Sequence, residues 1–422
     1  MKEVFPSEKL EVTWKTVVSQ AGAFKRIVNT QIDKSQPYIK VVKTCEFENL
    51  LGDINIFFDE SKKIAGFNIV PSQATLGYRP QEPKKPYPYK EQEVVYKNEK
   101  ADITITGTLT LPETKGSYPA IILVNGSGQQ TRNSNISGHQ LFLVLADYLT
   151  RKGIAVLRTD DRGVGGTTVK SFDGFTSDDS VEDVLCGIEY LKSLKEIDTK
   201  HIGIIGHSEG GLIAPLVAVK SKDISFMVIM AGPGLPGDQV LYLQNAAILK
   251  ASGVDDKTAK SQLQLSKDLF YILKQNKDND KIEAELKDVL SDYYQKLTPE
   301  DKKGLGAEKV FIQANLKTLL NSWLRFYVKY DPRPALTQVK CPILAINGSK
   351  DLQVTPKENL KVIRDALRKN KDATVIELPE LNHLFQTAQT GLMDEYFKIE
   401  ETISPAALKV IGDWIIKRTG HH

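Results

Sequence analysis

Short apolar runs alternate with amphipathic helical patterns over most of the chain after about residue 90. The runs are dominated by Val, Ile and Leu, which is typical of strands that are covered on both faces. They occupy residues 120–124, 154–158, 202–205, 226–230, 343–346 and 374–378, and helical patterns separate them at 139–151, 181–195, 212–220, 358–367 and 405–417. This alternation predicts an α/β fold with a mostly parallel, doubly wound sheet.

The start of the chain has a different pattern. Residues 10–23 have helical periodicity, residues 39–47 alternate in the manner of a strand, and 54–58 and 64–70 flank a polar turn as a hairpin does. These features predict a small α+β domain over residues 1–78. Four prolines in residues 79–90 then predict an extended linker.

The strand and helix alternation resumes with a hairpin and is interrupted once. Residues 235–338 have helical periodicity and no convincing strand, so the α/β core is predicted over 91–234 and 339–422. A helical insertion after one strand of a parallel sheet lies over the carboxyl edge, where ligands bind. We therefore predict that residues 235–338 form a cap over the site.

Composition excludes several classes of function. Lys and Arg number 56 against 53 Asp and Glu, and the basic residues are dispersed, so nucleic acid is not a predicted partner. No apolar run approaches the roughly 18 residues of a membrane span. The cysteines are isolated and read as buried thiols, and no spacing suits a metal, so neither metal nor cofactor is predicted. The three cysteines are Cys45, Cys186 and Cys341.

The segment Gly206-His207-Ser208-Glu209-Gly210 lies between a strand pattern and a helix pattern. A G-x-S-x-G turn in this setting holds the serine in a strained conformation with its hydroxyl exposed, and the glycines let strand and helix approach. The segment therefore predicts a nucleophile at Ser208.

A serine hydroxyl needs a histidine to take its proton and a carboxylate to orient that histidine. Asp351 lies in the loop that follows the predicted strand 343–346, and His383 follows the predicted strand 374–378. Each position alone is more often structural, but the order Ser, Asp, His at successive strand ends predicts a catalytic triad. The other histidines considered, His139, His201 and His207, do not replace His383 in this arrangement.

An acyl-transfer site also needs two backbone N–H groups for the oxyanion. The amide of Glu209, directly after the serine, is one candidate, and that of Ser127, in the loop after strand 120–124, is the other. The glycine-rich segment 159–166 lacks the spacing of a phosphate-binding loop, and we interpret it as a turn fixed by Asp and Arg.

Four segments, at residues 125–128, 160–165, 206–211 and 323–332, resemble the bacterial carboxylesterase branch of the α/β-hydrolase superfamily, near the serine aminopeptidase-like hydrolases. The resemblance extends over about residues 91–419. Residues 1–72 are similar to a small cystatin-like or NTF2-like domain that precedes some of these esterases, and this resemblance implies that the chain begins partway into that domain. Asn125 departs from the pattern, because the superfamily usually has histidine before the oxyanion glycine.

The resemblance implies a serine carboxylesterase that hydrolyses small, short-acyl esters without a cofactor. The implied pocket lies under the cap, near Trp323, Phe326 and Tyr327. A serine aminopeptidase-like peptidase and a non-catalytic binding protein with a vestigial hydrolase domain stay open as alternatives. Because relatives with this layout are often exported, the resemblance favours an extracytoplasmic location over a cytoplasmic one, although the given chain starts without a signal core.

Overall fold

The computed structural model describes most of the chain in two units. The described residues are 14–15, 17–18, 21–33, 39–48, 51–59, 61, 63–72, 79–113, 116–171, 174–275 and 278–420. The first unit comprises Met1–Pro80, Asn135–His139 and Met393–Glu400, and the second comprises Gln81–Ser134, Gln140–Leu392 and Glu401–His422.

The first unit contains a four-stranded antiparallel sheet. Its strands follow one another in space as in sequence: β1 (Phe24–Asp33), β2 (Ile39–Phe47), β3 (Leu51–Phe58) and β4 (Ile64–Pro71). Its core is small and centres on Ala21, Cys45 and Phe47. The hairpin predicted from residues 54–70 is present, whereas β1 was not predicted. The predicted helix 10–23 lies largely outside the described residues.

Two segments, Asn135–His139 and Met393–Glu400, belong to this first unit, although the sequence pattern assigned them to the α/β core. Arg79 donates hydrogen bonds from Nη1 to Ile399 O (2.9 Å) and from Nη2 to Phe397 O (2.8 Å). His139 Nε2 lies 2.8 Å from Tyr396 O. Burial and the positive charge of Arg79 lower the pKa of His139 to about 4, so this imidazole is neutral near pH 7. His139, which was not predicted to be the catalytic histidine, is therefore a buried structural residue.

The second unit is built on an eight-stranded sheet, as the alternation predicted. Strand β6 is antiparallel to both of its neighbours and the other pairings are parallel. The strands of this sheet are β5 (Tyr89–Asn98), β6 (Ile103–Pro112), β7 (Tyr118–Val124), β10 (Ala155–Thr159), β11 (Ile197–His207), β12 (Ile224–Met230), β13 (Ile343–Gly348) and β14 (Ala373–Leu378). Their order across the sheet is β14, β13, β12, β11, β7, β10, β6, β5. Two further strands, β8 (Asn135–Ile136) and β9 (His139–Gln140), form a separate ribbon, and residues 135–139 of this ribbon belong to the first unit.

Helices cover both faces of this sheet. Along β7, Ile121 belongs to one buried cluster and Ile122 to the other, as the two-residue alternation of a strand requires. One face packs on α2 (Ser177–Lys192), α3 (Gly210–Lys220) and α11 (Pro356–Ala366), and the other on α1 (Leu141–Thr150) and α12 (Pro405–Thr419). The prediction of a doubly wound α/β fold is confirmed.

A helical insertion separates β12 from β13. It has a small apolar core of its own, which includes Leu273, Leu286 and Val328. Its helices are α4 (Gly237–Ala251), α5 (Asp256–Lys274), α6 (Asn279–Lys296), α7 (Pro299–Leu305), α8 (Glu308–Leu319), α9 (Ser322–Lys329) and α10 (Arg333–Leu336). Within the described ranges, no helix of the protein is long and apolar enough to cross a membrane.

The strand order creates a crevice at one point of the sheet. From β7 the chain continues to β10 on one side of it and then returns to β11 on the other side. Ligands bind outside the carboxyl ends of strands at such a reversal. The loops that follow β7 and β11 carry Ser127 and Ser208, so the topology brings these two predicted site residues to the same edge.

Candidate active site

Ser208 occupies a strained turn between β11 and α3. Its φ angle is +55°, a left-handed conformation that is uncommon for any residue with a side chain. Its backbone N–H donates to Met230 O at the end of the neighbouring β12 (2.8 Å). The sequence predicted this turn, and the positive φ is the strain expected of it.

The two motif glycines are required by close backbone contacts. A Cβ atom at Gly206 would lie 2.0 Å from Gly210 O, and one at Gly210 would lie 2.2 Å from Val124 O. A third glycine, Gly126, lies so close to Ser208 that its own Cβ would be 3.0 Å from the serine Cβ. The loop that carries Ser127 is therefore packed directly against the serine.

Asp351 and His383 form a buried pair. His383 Nδ1 donates to Asp351 Oδ2 (2.8 Å), and the two residues are 4% and 2% exposed. The other carboxylate oxygen, Oδ1, accepts from the backbone N–H groups of Gln353 (2.8 Å) and Val354 (2.9 Å). The carboxylate is thus held in place, and it fixes the imidazole tautomer that carries the proton on Nδ1.

His207 connects the serine turn to the loop of His383. Its Nε2 donates to the backbone oxygen of His383 (2.9 Å), and the centroids of the two rings are 4.9 Å apart. Burial and the neighbouring His383 lower the pKa of His207 to about 3, so the ring is neutral. His207 was not predicted to be the catalytic base, and no pattern in the sequence indicated that it would link the two loops.

Asp161 holds the loop on which Ser127 lies. Its Oδ1 accepts from Asn125 Nδ2 (3.1 Å), and its Oδ2 accepts from the backbone N–H of Gln130 (2.8 Å). Burial, together with the negative charges of Glu209 and Asp160, raises the pKa of Asp161 to about 7. The loop 125–130 is therefore held at both ends by one carboxyl group.

The rest of the glycine-rich segment after β10 is fixed by charge pairs. Arg132 Nη2 lies 2.6 Å from Asp160 Oδ2, and Arg162 Nε lies 2.7 Å from Asp183 Oδ2. This agrees with the interpretation of the segment as a turn fixed by Asp and Arg. Across the described ranges, no group of three or more His, Cys, Asp or Glu residues could hold a metal ion.

A cavity of about 810 Å³ adjoins the serine turn. Its wall includes Gly126, Ser127, Glu209 and Trp323, but Ser208 itself is not among the described residues that line it. Its apolar lining comes from Ile105, Leu123, Val124, Phe175, Val184, Ile213 and Leu324. A cavity of this size with a mixed lining can bind a small organic ligand.

The three predicted pocket aromatics are separated by the structure. Trp323 lines the cavity. Tyr327 is 6% exposed and belongs to the core, where its ring stacks on Trp323 with centroids 5.4 Å apart. Phe326 stacks instead on Tyr330 (5.5 Å). Of the three aromatic residues, only Trp323 lines the cavity, because Tyr327 belongs to the core and Phe326 packs on a different ring.

The cysteines have different environments. All three are free thiols, Cys45 is buried, and Cys186 and Cys341 are half-buried. Burial raises the pKa of Cys341 to about 11, so the thiolate form is disfavoured there. The prediction of buried thiols is correct for Cys45, whereas the other two keep some exposure.

Comparisons with known proteins identify two similar families and a similar esterase. Residues 137–296 match the family described as Serine aminopeptidase, S33, and residues 1–67 match a protein of unknown function (DUF3887). Esterase EstD of Thermotoga maritima is 24% identical over 424 aligned residues, which cover 97% of this chain and 87% of that protein.

Solved structures that are similar to this protein include an esterase and a peptidase. The Pyrococcus furiosus esterase Pf2001 has a TM-score of 0.46 at 14% identity, covering 78% of this chain and 91% of that one. The proline iminopeptidase of Mycobacterium smegmatis has a TM-score of 0.48 at 17% identity, covering 78% and 99%.

The sheet order and the serine turn after β11 define the class of this protein. It is a serine hydrolase with the α/β-hydrolase fold, and its hydrolase domain is similar to the S33 serine aminopeptidases. The predictions of this resemblance and of an enzyme are confirmed.

Proposed function

We propose that the protein is a serine carboxylesterase that cleaves small carboxylic esters through an acyl-enzyme intermediate. The observation that carries this proposal is the buried His383–Asp351 pair, which His207 connects to the strained turn of Ser208. A neutral imidazole that donates from Nδ1 has an unprotonated Nε2, which is the atom that a general base uses.

In the proposed mechanism, Ser208 Oγ attacks the ester carbonyl while His383 Nε2 takes its proton. His383 then returns the proton to the departing alcohol oxygen, which leaves the acyl group on Ser208. Water enters, His383 removes one of its protons, and collapse of the second tetrahedral intermediate releases the acid and regenerates the serine hydroxyl. Asp351 keeps the imidazole in the required tautomer and stabilises its positive charge.

The oxyanion is proposed to bind to the backbone N–H groups of Ser127 and Glu209. Two observations support this assignment. Glu209 is the N-cap of α3, where unpaired N–H groups and the helix dipole favour negative charge. Gly126, next to Ser127, is packed against Ser208.

The proposed substrate is an ester with a short acyl group, bound in the cavity beside the serine turn. Its size, about 810 Å³, leaves room for an alcohol portion as well as the acyl group. The helical insertion contributes Trp323 and Leu324 to the wall, which supports its proposed role as a cap. The location of the protein stays a prediction from the resemblance.

One experiment separates the open alternatives. The full chain is treated with a fluorophosphonate probe and assayed on nitrophenyl esters of increasing acyl length, beside aminoacyl nitroanilides. We expect labelling that is lost in Ser208→Ala, together with faster turnover of short-chain esters. Lack of labelling in the wild-type protein would instead indicate a non-catalytic binding protein.

A peptidase is the second candidate, favoured by the match of residues 137–296 to the serine aminopeptidase family. Four residues that line the cavity carry carboxyl groups, and two of them, Asp160 and Asp183, form ion pairs with arginines. The other two, Asp161 and Glu209, are the proposed partners of a substrate amine. Faster turnover of the aminoacyl nitroanilides than of the esters would select this function over the esterase.

A further inference from the structure

The carboxylate of Glu209 lies inside the protein and joins three separate elements. Glu209 is 6% exposed, and its Oε1 accepts hydrogen bonds from Ser177 Oγ (2.5 Å) and Trp323 Nε1 (2.8 Å). Ser177 is the first residue of α2, and Trp323 is the second residue of α9 in the helical insertion. The residue directly after the proposed nucleophile is therefore bonded to the cavity wall.

Trp323 is held at its edge and on its face. The indole Nε1 bonds to Glu209, and the ring stacks on Tyr327 with an interplanar angle of 26°. Tyr327 is itself held by the core, since it is 6% exposed and belongs to the main hydrophobic cluster. Stacking fixes the plane of the indole, and the hydrogen bond fixes its rotation within that plane.

The partners of Glu209 are neutral donors. A buried carboxyl group loses its hydration and needs strong hydrogen bonds in return, and bonds to a charged acceptor are stronger than neutral ones. If the acceptor at residue 209 were removed, the indole N–H would lose its partner inside the protein. The indole would then turn to find another acceptor, and the cavity wall would move with it.

We propose that the Glu209 side chain is a positioning residue that sets substrate specificity by holding Trp323 in the cavity wall. This inference rests on the proposed function, since the cavity is taken to bind the substrate. One residue then serves both parts of the site: its backbone N–H faces the oxyanion, and its side chain limits the space for the acyl chain. An acyl chain long enough to displace the indole must break the Glu209–Trp323 hydrogen bond.

The first test compares two substitutions of the same residue on a series of nitrophenyl esters. In Glu209→Gln the amide oxygen still accepts from both donors, whereas Glu209→Met has a similar length and no comparable acceptor. We expect Glu209→Met to raise kcat/KM for octanoate relative to acetate by about tenfold, the scale on which a hydrophobic pocket discriminates chain length. Glu209→Gln should keep the wild-type ratio, whatever its absolute rate.

The ratio of kcat/KM for octanoate to kcat/KM for acetate separates a positioning role of Glu209 from a loss of folded protein. A loss of folding would lower kcat for every ester alike and leave the ratio unchanged, and an unchanged ratio in Glu209→Met overturns the proposal. An equal change in Glu209→Gln and Glu209→Met also overturns it, because the charge rather than the hydrogen bond would then matter. Trp323→Phe should change the ratio in the wild-type background but add nothing to Glu209→Met.

The second test does not depend on catalysis. The chain has three tryptophans, so the fluorescence of Trp323 is obtained as the difference between each variant and the same variant with Trp323→Phe. We expect acrylamide to quench Trp323 at least twofold more strongly in Glu209→Met than in wild type or Glu209→Gln. Equal quenching in all three overturns the proposal even if esters are cleaved, whereas missing Ser208 labelling would count against the esterase function alone.

Discussion

The serine turn and the cavity wall of the helical insertion are held by different means. Around Ser208 the chain is fixed by backbone packing, since Gly206 and Gly210 leave no space for a Cβ atom. At Trp323 the wall is fixed by one side-chain hydrogen bond and one ring stack. Backbone sterics allow a single arrangement, whereas a side-chain contact can be exchanged for another. We therefore expect changes near Ser208 to abolish activity and changes in the wall to alter selectivity.

The largest effect should follow removal of the proposed nucleophile. Ser208→Ala is expected to lower kcat by about 10⁴-fold or more, with little change in the free energy of unfolding, because the acyl-enzyme can no longer form. Initial rates on a nitrophenyl ester and denaturant unfolding measure the two quantities. Ser252→Ala, at an exposed position at the end of α4, is the matched control. Residual activity close to wild type would refute the assignment of the nucleophile.

Adding a methyl group to the turn tests the role of backbone packing. In Gly210→Ala the new Cβ would meet Val124 O at 2.2 Å, so we expect a loss of about 3 kcal/mol in unfolding free energy and loss of ester hydrolysis. Gly304→Ala is the counterpart in the helical insertion, where a Cβ meets nothing within 4 Å. It should stabilise α7 slightly, because alanine favours a helix over glycine by about 1 kcal/mol. Similar effects of the Gly210 and Gly304 substitutions would contradict the conclusion that backbone packing fixes the serine turn more tightly than the helical insertion.

The link through His207 should have an intermediate effect. His207→Phe removes the donor to His383 O and is expected to lower kcat/KM by about 10–100-fold, because the proposed base would shift relative to the proposed nucleophile. His207→Gln, whose amide N–H can reach the same oxygen, should recover most of this loss. Pre-steady-state acylation by a nitrophenyl ester measures the step directly. Equal rates for the Phe and Gln variants would argue that the hydrogen bond is unimportant.

The last comparison concerns pH and the loop that carries Ser127. The pKa of Asp161 is raised to about 7, so below pH 7 the folded state keeps a proton that the unfolded state releases above about pH 4. The stability that this proton contributes is fully present below about pH 4 and is lost as the pH rises to 7. In Asp161→Asn the free energy of unfolding should therefore decrease less between pH 4 and pH 7 than in wild type.

An oppositely shifted carboxyl group is the control for that measurement. Arg333 lowers the pKa of Asp331, so the ionised form of Asp331 stabilises the folded state and this contribution disappears on acidification. Asp331→Asn should lose stability relative to wild type near pH 7, and this difference should shrink as the pH falls through the lowered pKa of Asp331. Urea unfolding at a series of pH values measures both variants. If the stability of both variants relative to wild type changes in the same direction as the pH rises, one of the two pKa shifts is refuted.

The sequence by itself predicted the parts of the site that depend on local chain geometry. The strand runs, the serine turn and the positions of Asp351 and His383 after β13 and β14 follow from short-range patterns. Buried parallel strands need apolar residues on both faces, and a strained turn needs glycines beside it, so both can be recognised from short segments of the sequence. The Ser-Asp-His order could be recognised for the same reason.

Only the tertiary structure decided which side chains meet across distant elements. The contacts of His207 with His383, Asp161 with Asn125, and Glu209 with Trp323 join residues far apart in sequence. A hydrogen bond between remote positions leaves no periodic pattern in a single chain. For the same reason Phe326 and Tyr327 were predicted in the pocket with Trp323, since the sequence does not show which of these rings pack into the core and which line the cavity.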